Sequence, residues 1–249
     1  IGVGFVHPIV DILNYINIDL GQPMHAYDLD KISDEITIRL SKKNEEFIAL
    51  DKKKYKLDEG NIVICDKDQI ISLAGIIGAD HCAVDNSTKN ILIESAFFPP
   101  NLIANKARIL KLQTESSQRF ERGVDFNLPE KALKTLSDII SYKEICDFSD
   151  IRLIENEKYL PEIKEVSISF EKIRRVLGVE ISDSEIENIL ESLGGSFNKK
   201  TNKIKNPSFR YDLEIHADYI EEVARLYGYD NIPIISEKID LKPEREHLL

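Results

Sequence analysis

The stretch Asn206–Pro233, N-P-S-F-R-Y-D-L-E-I-H-A-D-Y-I-E-E-V-A-R-L-Y-G-Y-D-N-I-P, constrains the fold more than any other part of the chain. Tyr219, Ile220, Val223, Leu226 and Tyr227 recur at helical spacing, so they form an apolar stripe that must be buried against another element. Gly228 is placed to stop that helix. Four acids, Asp212, Asp218, Glu221 and Glu222, stand around its start. The last three are spaced i, i+3, i+4 and rise from one face. Like charges this close repel, and two arrangements offset the repulsion. One is a hard divalent cation such as Mg²⁺, which takes carboxylate oxygens and keeps its waters. The other is the positive end of the helix dipole, which favours acids in a first turn.

With 249 residues the chain has room for two domains. At 42% hydrophobic and 31% charged residues, it reads as a soluble globular protein rather than a disordered one. No run approaches the apolar length of a membrane span, which predicts no membrane association. The opening I-G-V-G-F-V-H-P lacks the basic start of a secretory signal. It also lacks an initiator Met, and the abrupt start predicts a piece cut from a longer polypeptide. Cys65, Cys82 and Cys146 are far apart and form no C-x-x-C pair, which argues against a disulfide framework or a zinc site and fits a reducing cytoplasm. A net charge of -11 argues against a free-standing nucleic-acid binder. Local exceptions are Lys106, Arg108, Lys111, Arg119 and Arg122, set against Glu115 and Glu121, and the lysines 52, 53, 54 and 56 that crowd one predicted hairpin tip.

Periodicity divides the chain into two halves. In the first, Val10–Ile18 reads as a helix, Ile36–Leu40 as an alternating strand and Phe47–Leu57 as a hairpin. Asn61–Asp66, Ile70–Gly78 and Ile91–Phe98 are short apolar runs of buried-strand type. Pro99 and Pro100 open a predicted helix to about Leu112, with Leu102, Ile103, Ala107 and Leu110 on one side. A short helix ending at Gly123 and another over Leu128–Tyr142 follow. The polar segment Ile154–Glu165 carries a proline and reads as a linker. Beyond it come a strand, V-S-I-S-F (Val166–Phe170), a helix over Glu171–Leu177, and a helix capped by Ser182 or Ser184 that ends at Gly194-Gly195. A hairpin and the acidic helix complete a small α+β unit.

Five motifs in order carry a resemblance. They are G-Q-P-M-H-A-Y-D-L-D-K-I (Gly21–Ile32), L-A-G-I-I-G (Leu73–Gly78), I-L-I-E-S-A-F-F (Ile91–Phe98), S-S-Q-R-F-E-R-G-V-D (Ser116–Asp125) and P-S-F-R-Y-D…E-E-V-A-R-L-Y-G-Y-D-N-I-P. Together, from about Pro8 to Pro233, they closely resemble the beta subunit of bacterial-type phenylalanyl-tRNA synthetase. The first half is similar to that subunit's B3/B4 module, which carries an editing site, and the second to its winged-helix-like B5 module. The resemblance implies an α+β fold in two domains: a B3/B4-type editing domain over 1–153, a linker over 154–165, a B5 domain over 166–234, and the truncated start of a following region over 235–249.

The resemblance also implies site residues. The family's tyrosine-reading glutamate falls at Glu94; the residues alone favour a half-buried acid paired with an arginine. His25, after Gly-Gln-Pro-Met in a predicted turn, would hold a water or the ester carbonyl. Gly75 and Gly78 would let backbone approach a ligand, or simply make a tight turn. Thr114 and Ser116 would hold an oxyanion or the terminal ribose, although capping explains Thr114 equally well. No serine, cysteine or lysine stands in a nucleophile motif, so the implied reaction uses a positioned water. Where the family has Gly-Gly this chain has Gly78-Ala79, and Ser116 replaces an alanine; both changes add bulk or polarity near the pocket.

By the same resemblance Asp212, Asp218, Glu221 and Glu222 match acids associated with Mg²⁺, and Lys106, Arg108 and Lys111 are candidates for tRNA phosphate contact. Arg119 and Arg122 are expected to brace the fold through ion pairs. The implied function is hydrolysis of Tyr-tRNA(Phe). The implied setting is a cytoplasmic α₂β₂ enzyme that attaches phenylalanine to tRNA(Phe) with ATP, using an active site on the alpha subunit. Two other classes stay open: a non-catalytic scaffold or RNA-binding fragment with an inactive pocket, and a carboxylate–metal phosphohydrolase, which lacks a second ligand cluster here.

Overall fold

A computed structural model of the chain describes residues 7–33, 35–143, 146–156 and 159–234. The expected following region at 235–249 and the opening I-G-V-G-F-V lie outside the described residues. The chain divides into two units, Ile1–Glu162 and Ile163–Leu249.

In the first unit, His7 opens helix α1 (Pro8–Leu20) by accepting the Ile9 N–H, and Gly21, at φ 78, closes it. Two antiparallel ladders follow. One pairs β1 (Met24–Asp28) with β8 (Ile91–Ser95). The other has β2 (Ile36–Leu40), β5 (Ile62–Asp66), β6 (Gln69–Leu73) and β7 (Ile77–Gly78) in the order β2-β5-β6-β7. The lysine-tipped hairpin is β3 (Glu45–Ile48) with β4 (Lys54–Leu57). Val63, Ile64 and Cys65 of β5 and Ile70, Ile71 and Leu73 of β6 are all buried, which is why these runs read as continuously apolar. The run over 70–78 is not one strand, because Gly75 (φ 69) turns the chain back into β7.

The single helix expected over 100–112 is two short ones, α2 (Pro100–Ile103) and α3 (Lys106–Ile109). Ala104 is extended (ψ 133) and Asn105 left-handed (φ 65), a conformation asparagine tolerates better than most residues. The break lets Ile103 and Ala107 both reach the core and leaves Leu102 exposed. Helix α4 (Glu115–Arg122) stops at Gly123, and α5 (Leu128–Lys143) packs on α1 through Ile9, Leu13, Ile16, Ala132, Leu136 and Ile140.

The second unit packs helices α6 (Phe170–Leu177), α7 (Asp183–Ser192) and α8 (His216–Tyr227) with a small antiparallel sheet. That sheet joins β9 (Glu165–Ser167), β10 (Ser196–Asn198) and β11 (Lys203–Lys205) in the order β10-β11-β9. The strand expected to reach Phe170 ends sooner because the Ser169 hydroxyl accepts the Lys172 N–H and starts α6. Of the two candidate caps for α7, Ser182 does the work, accepting from Glu185 N–H at 3.2 Å. Tyr219, Ile220 and Val223 of α8 meet Ile173, Ile186, Leu190 and Ile204 in the core; Ala224 is buried, whereas Leu226 is exposed. The whole is α+β. All three cysteines are free, and among the described residues no helix is long and apolar enough to cross a membrane.

Candidate active site

The β1–β8 ladder builds the site. Its register sets His25 opposite Glu94, Ala26 opposite Ile93 and Tyr27 opposite Leu92. Side chains alternate across a strand, so the two faces serve different purposes. Met24, Ala26, Ile91 and Ile93 pack with α1 and α5, while Tyr27 and Leu92 join the sheet core. His25 is therefore not in a turn, as the sequence had suggested, but mid-strand, two residues from Tyr27 and directly across from Glu94.

His25, Glu94, Gly75, Gly78 and Ser116 line one small, solvent-open cavity, together with Ser72 and the apolar Met24, Ile76, Ile77 and Phe120. The two glycines shape it through protein contacts. A Cβ on Gly78 would overlap the His25 ring at Nε2 and Cε1, so the ring can lie on the β7 backbone only because residue 78 has no side chain. Gly75 holds the turn, and a Cβ there would stand 3.0 Å from the Phe120 ring.

Burial sets the charges. It lowers the His25 pKa to about 4, so the imidazole is neutral near pH 7. Burial likewise pushes the Glu94 carboxyl up to about 7, against the opposing pull of a hydrogen bond from the Tyr27 hydroxyl. That bond, Tyr27 Oη to Glu94 Oε2, is 2.5 Å long. The Tyr27 ring stands edge-on to the His25 ring with centroids 4.5 Å apart. The partner of Glu94 is thus a tyrosine and not an arginine. Tyr27 escaped the sequence reading, although its two-residue offset from His25 would have placed it on the same face of any strand there.

Two other expected residues fall differently. Thr114 does not line the cavity: its hydroxyl accepts the Ser117 N–H at 3.0 Å, capping α4, and donates to the Ile76 carbonyl at 2.8 Å, which leaves it a structural clamp on the cavity wall. Ala79 points into the core at 1% exposure and adds no bulk to the cavity, whereas Ser116 does add a hydroxyl. On and beside α3, Arg108 and Lys111 are exposed and Lys106 is half-buried; Arg119 pairs with Glu115 at 2.7 Å.

The acids of α8 do not assemble as ligands. The Arg210 guanidinium bridges Asp212 (2.6 Å) and Glu222 (2.7 Å), and Arg225 takes the other Glu222 oxygen. Asp218 accepts the N–H groups of Glu214 and Ile215 at 2.7 and 2.8 Å, and Glu221 is exposed. Arg210 holds Asp212 below the usual carboxylate range; burial opposes the same shift in Glu222, but Arg210 and Arg225 prevail. Among the described residues no group of three or more His, Cys, Asp or Glu could hold a metal ion, so a Mg²⁺ site does not fit these acids as they are arranged. Adding millimolar Mg²⁺ or EDTA is expected to leave the melting temperature of the chain unchanged, while Arg210→Ala is expected to destabilise the second unit by about 1–2 kcal/mol, because Glu222 loses its half-buried partner. A rise of several degrees with Mg²⁺ would overturn this.

Comparison with known proteins agrees with this architecture. The model of the B3/4 domain matches residues 1–146, and that of the tRNA synthetase B5 domain matches residues 166–229. Among curated proteins, the chain is 39% identical over 251 residues to the phenylalanine--tRNA ligase beta subunit of Photorhabdus laumondii, covering 98% of the chain and 31% of that protein. It is 42% identical over 236 residues to the Coxiella burnetii protein of the same name, covering 93% of the chain and 30% of that protein. The Neisseria meningitidis serogroup B protein of that name is 39% identical, again over 93% of the chain and 30% of its own length. An N-terminal fragment of the phenylalanyl-tRNA synthetase beta subunit from Pyrococcus horikoshii aligns over 89% of the chain and 65% of its own, at 18% identity and a TM-score of 0.40, too slight a likeness to carry weight. Through its B3/4 and B5 domains, the chain belongs to the family of phenylalanine--tRNA ligase beta subunits. It spans about a third of the length of these curated relatives.

Proposed function

We propose that the cavity is an editing site that hydrolyses tyrosine mischarged onto tRNA(Phe), within a cytoplasmic enzyme that joins phenylalanine to this tRNA with ATP. The observation that best supports this is a half-buried carboxyl group, Glu94, set among Met24, Ile76, Ile77 and Phe120. Tyrosine differs from phenylalanine by one hydroxyl. The carboxylate gains a second charge-assisted hydrogen bond from that hydroxyl, beside the one from Tyr27, and goes without it when phenylalanine enters.

Neutral His25, across the ladder from Glu94, can accept a hydrogen bond from a water. The water attacks the ester carbonyl carbon, the bond from that carbon to the ribose oxygen breaks, and the ribose oxygen takes up a proton as tyrosine leaves. Among the described residues no serine is hydrogen-bonded to His25, so catalysis rests on orientation and electrostatics, helped by the terminal adenosine's own hydroxyl. Exposed Arg108 and Lys111 suit tRNA phosphates. The alpha subunit of an α₂β₂ assembly would carry aminoacylation, with its ATP and Mg²⁺.

Deacylation of Tyr-tRNA(Phe) tests the reading. His25→Ala and Glu94→Ala are each expected to lower the rate about 100-fold. Equal rates in wild type and both variants would exclude the cavity as the site. A second reading, a non-catalytic RNA-binding scaffold, draws on Ser116, whose hydroxyl makes the cavity more polar. Retained tRNA binding without deacylation, in wild type carried on its full subunit, would favour it.

A further inference from the structure

We propose that Tyr27 is a built-in phenol that favours the charged, phenol-reading form of Glu94, and is therefore a positioning residue for the specificity of the cavity. This rests on the editing reading and adds a residue to it. The geometry carries the inference. Tyr27 is 1% exposed, so its ring cannot swing out to solvent. It lies two residues from His25 on β1, and its hydroxyl reaches back diagonally across the ladder to Glu94. The two oxygens lie within hydrogen-bonding distance, so the phenol donates to the carboxyl group, and such a bond is stronger when the carboxyl is ionised. Only Oε2 is engaged by this bond, and a carboxylate has lone pairs on both oxygens. A substrate hydroxyl donating to Oε1 would complete a pair of phenols on one carboxylate.

The resident phenol also answers a chemical problem. Burial alone drives Glu94 towards its neutral form, in which it reads a hydroxyl weakly. No cation faces it. The titratable groups around the pair are His25 on β1, which is neutral, and Cys82 in the turn Asp80–Cys82, whose thiol burial keeps protonated; Ser72 on β6 meets the phenol as a neutral hydroxyl. Tyr27 is thus the group that stabilises the negative charge without supplying a counter-ion, which would bind the carboxylate too tightly to leave it free for substrate.

Tyr27→Phe keeps the ring and removes the hydroxyl. Carbon-13 NMR of labelled glutamate follows the Glu94 carboxyl in the absence of any substrate, and Glu94→Gln identifies its signal. The midpoint is expected to rise by about one pH unit in Tyr27→Phe. With substrate, Tyr27→Phe is expected to lose about tenfold in preference for Tyr-tRNA over Phe-tRNA at pH 7 and to regain it near pH 9, a rescue that a merely structural defect would not show. In a Glu94→Gln background the same change should move neither pH profile. An unshifted carboxyl midpoint would overturn the inference, whatever the activity. A shifted midpoint in a wild type that never deacylates Tyr-tRNA would instead overturn the editing reading and leave the Tyr27–Glu94 coupling standing.

Discussion

Replacing Asn206 by alanine is expected to destabilise the second unit by about 2–4 kcal/mol, the largest single effect outside the cavity. Asn206 opens the stretch that first marked this chain, yet it carries no charge and no catalytic chemistry. Its side chain donates to the Leu213 carbonyl and accepts the Tyr219 hydroxyl at 2.7 Å, and both Asn206 and Tyr219 are buried. It therefore ties the loop before α8 to the first turn of that helix. Alanine leaves a buried phenol and a buried carbonyl without partners and opens a small void besides. Asn206→Asp keeps the acceptor but not the donor and should fall between the two. Amide exchange along α8 reports the loss; protection unchanged within about 0.5 kcal/mol would show that water replaces the side chain.

The second large effect is on pH dependence. Glu94→Gln is expected to stabilise the first unit by about 1–2 kcal/mol at pH 8 and to change little at pH 5, after allowance for the solvent that the cavity admits. Folding raises the Glu94 pKa from 4.5 to about 7, so the folded protein holds this proton more tightly than the unfolded chain does. The contribution of Glu94 to stability is then greatest below pH 4.5 and is lost as pH rises through that value to about 7. Glutamine removes this alkaline loss and still accepts from Tyr27 through its carbonyl oxygen. His25 acts in the opposite sense: with its pKa lowered from 6.5 to about 4, its contribution is complete above 6.5 and is lost as pH falls towards 4. Wild type should thus weaken on both sides of a mild optimum, and Glu94→Gln on the acid side alone. Urea titrations read through β1 and β8 amides check this; equal curves for both proteins at pH 8 would mean that the carboxylate is solvated in the native state.

Elements with strong local signals were legible in the sequence. Helix α8, the α7 cap and the buried runs of β5 and β6 followed from periodicity and cap chemistry. Strand β1 did not, because both of its faces are covered: Met24 and Ala26 pack against the helices while His25 lines the cavity and Tyr27 joins the sheet core, so M-H-A-Y-D shows neither alternation nor a pure apolar run. The break between α2 and α3 hid in Asn105, whose left-handed backbone only tertiary packing selects. Spacing along α8 correctly put three acids on one face. It could not anticipate Arg210, which arrives from the preceding loop to neutralise Asp212 and Glu222. Within the cavity, Glu94 and His25 were named from motif, but their mutual register and the Tyr27 bond needed the folded ladder.

That ladder has a consequence for how such a site can change over generations. The helix-facing residues Ala26 and Ile93 and the cavity-facing residues His25 and Glu94 share one ruler, the β1–β8 register. Losing or gaining one residue between Gly21 and Met24 would swap the two sets at a stroke, sending the imidazole among α1 and α5 and an alanine methyl into the cavity. Point substitutions can tune the cavity gradually, but a length change in that short connection either preserves both the packing and the chemistry or destroys them together.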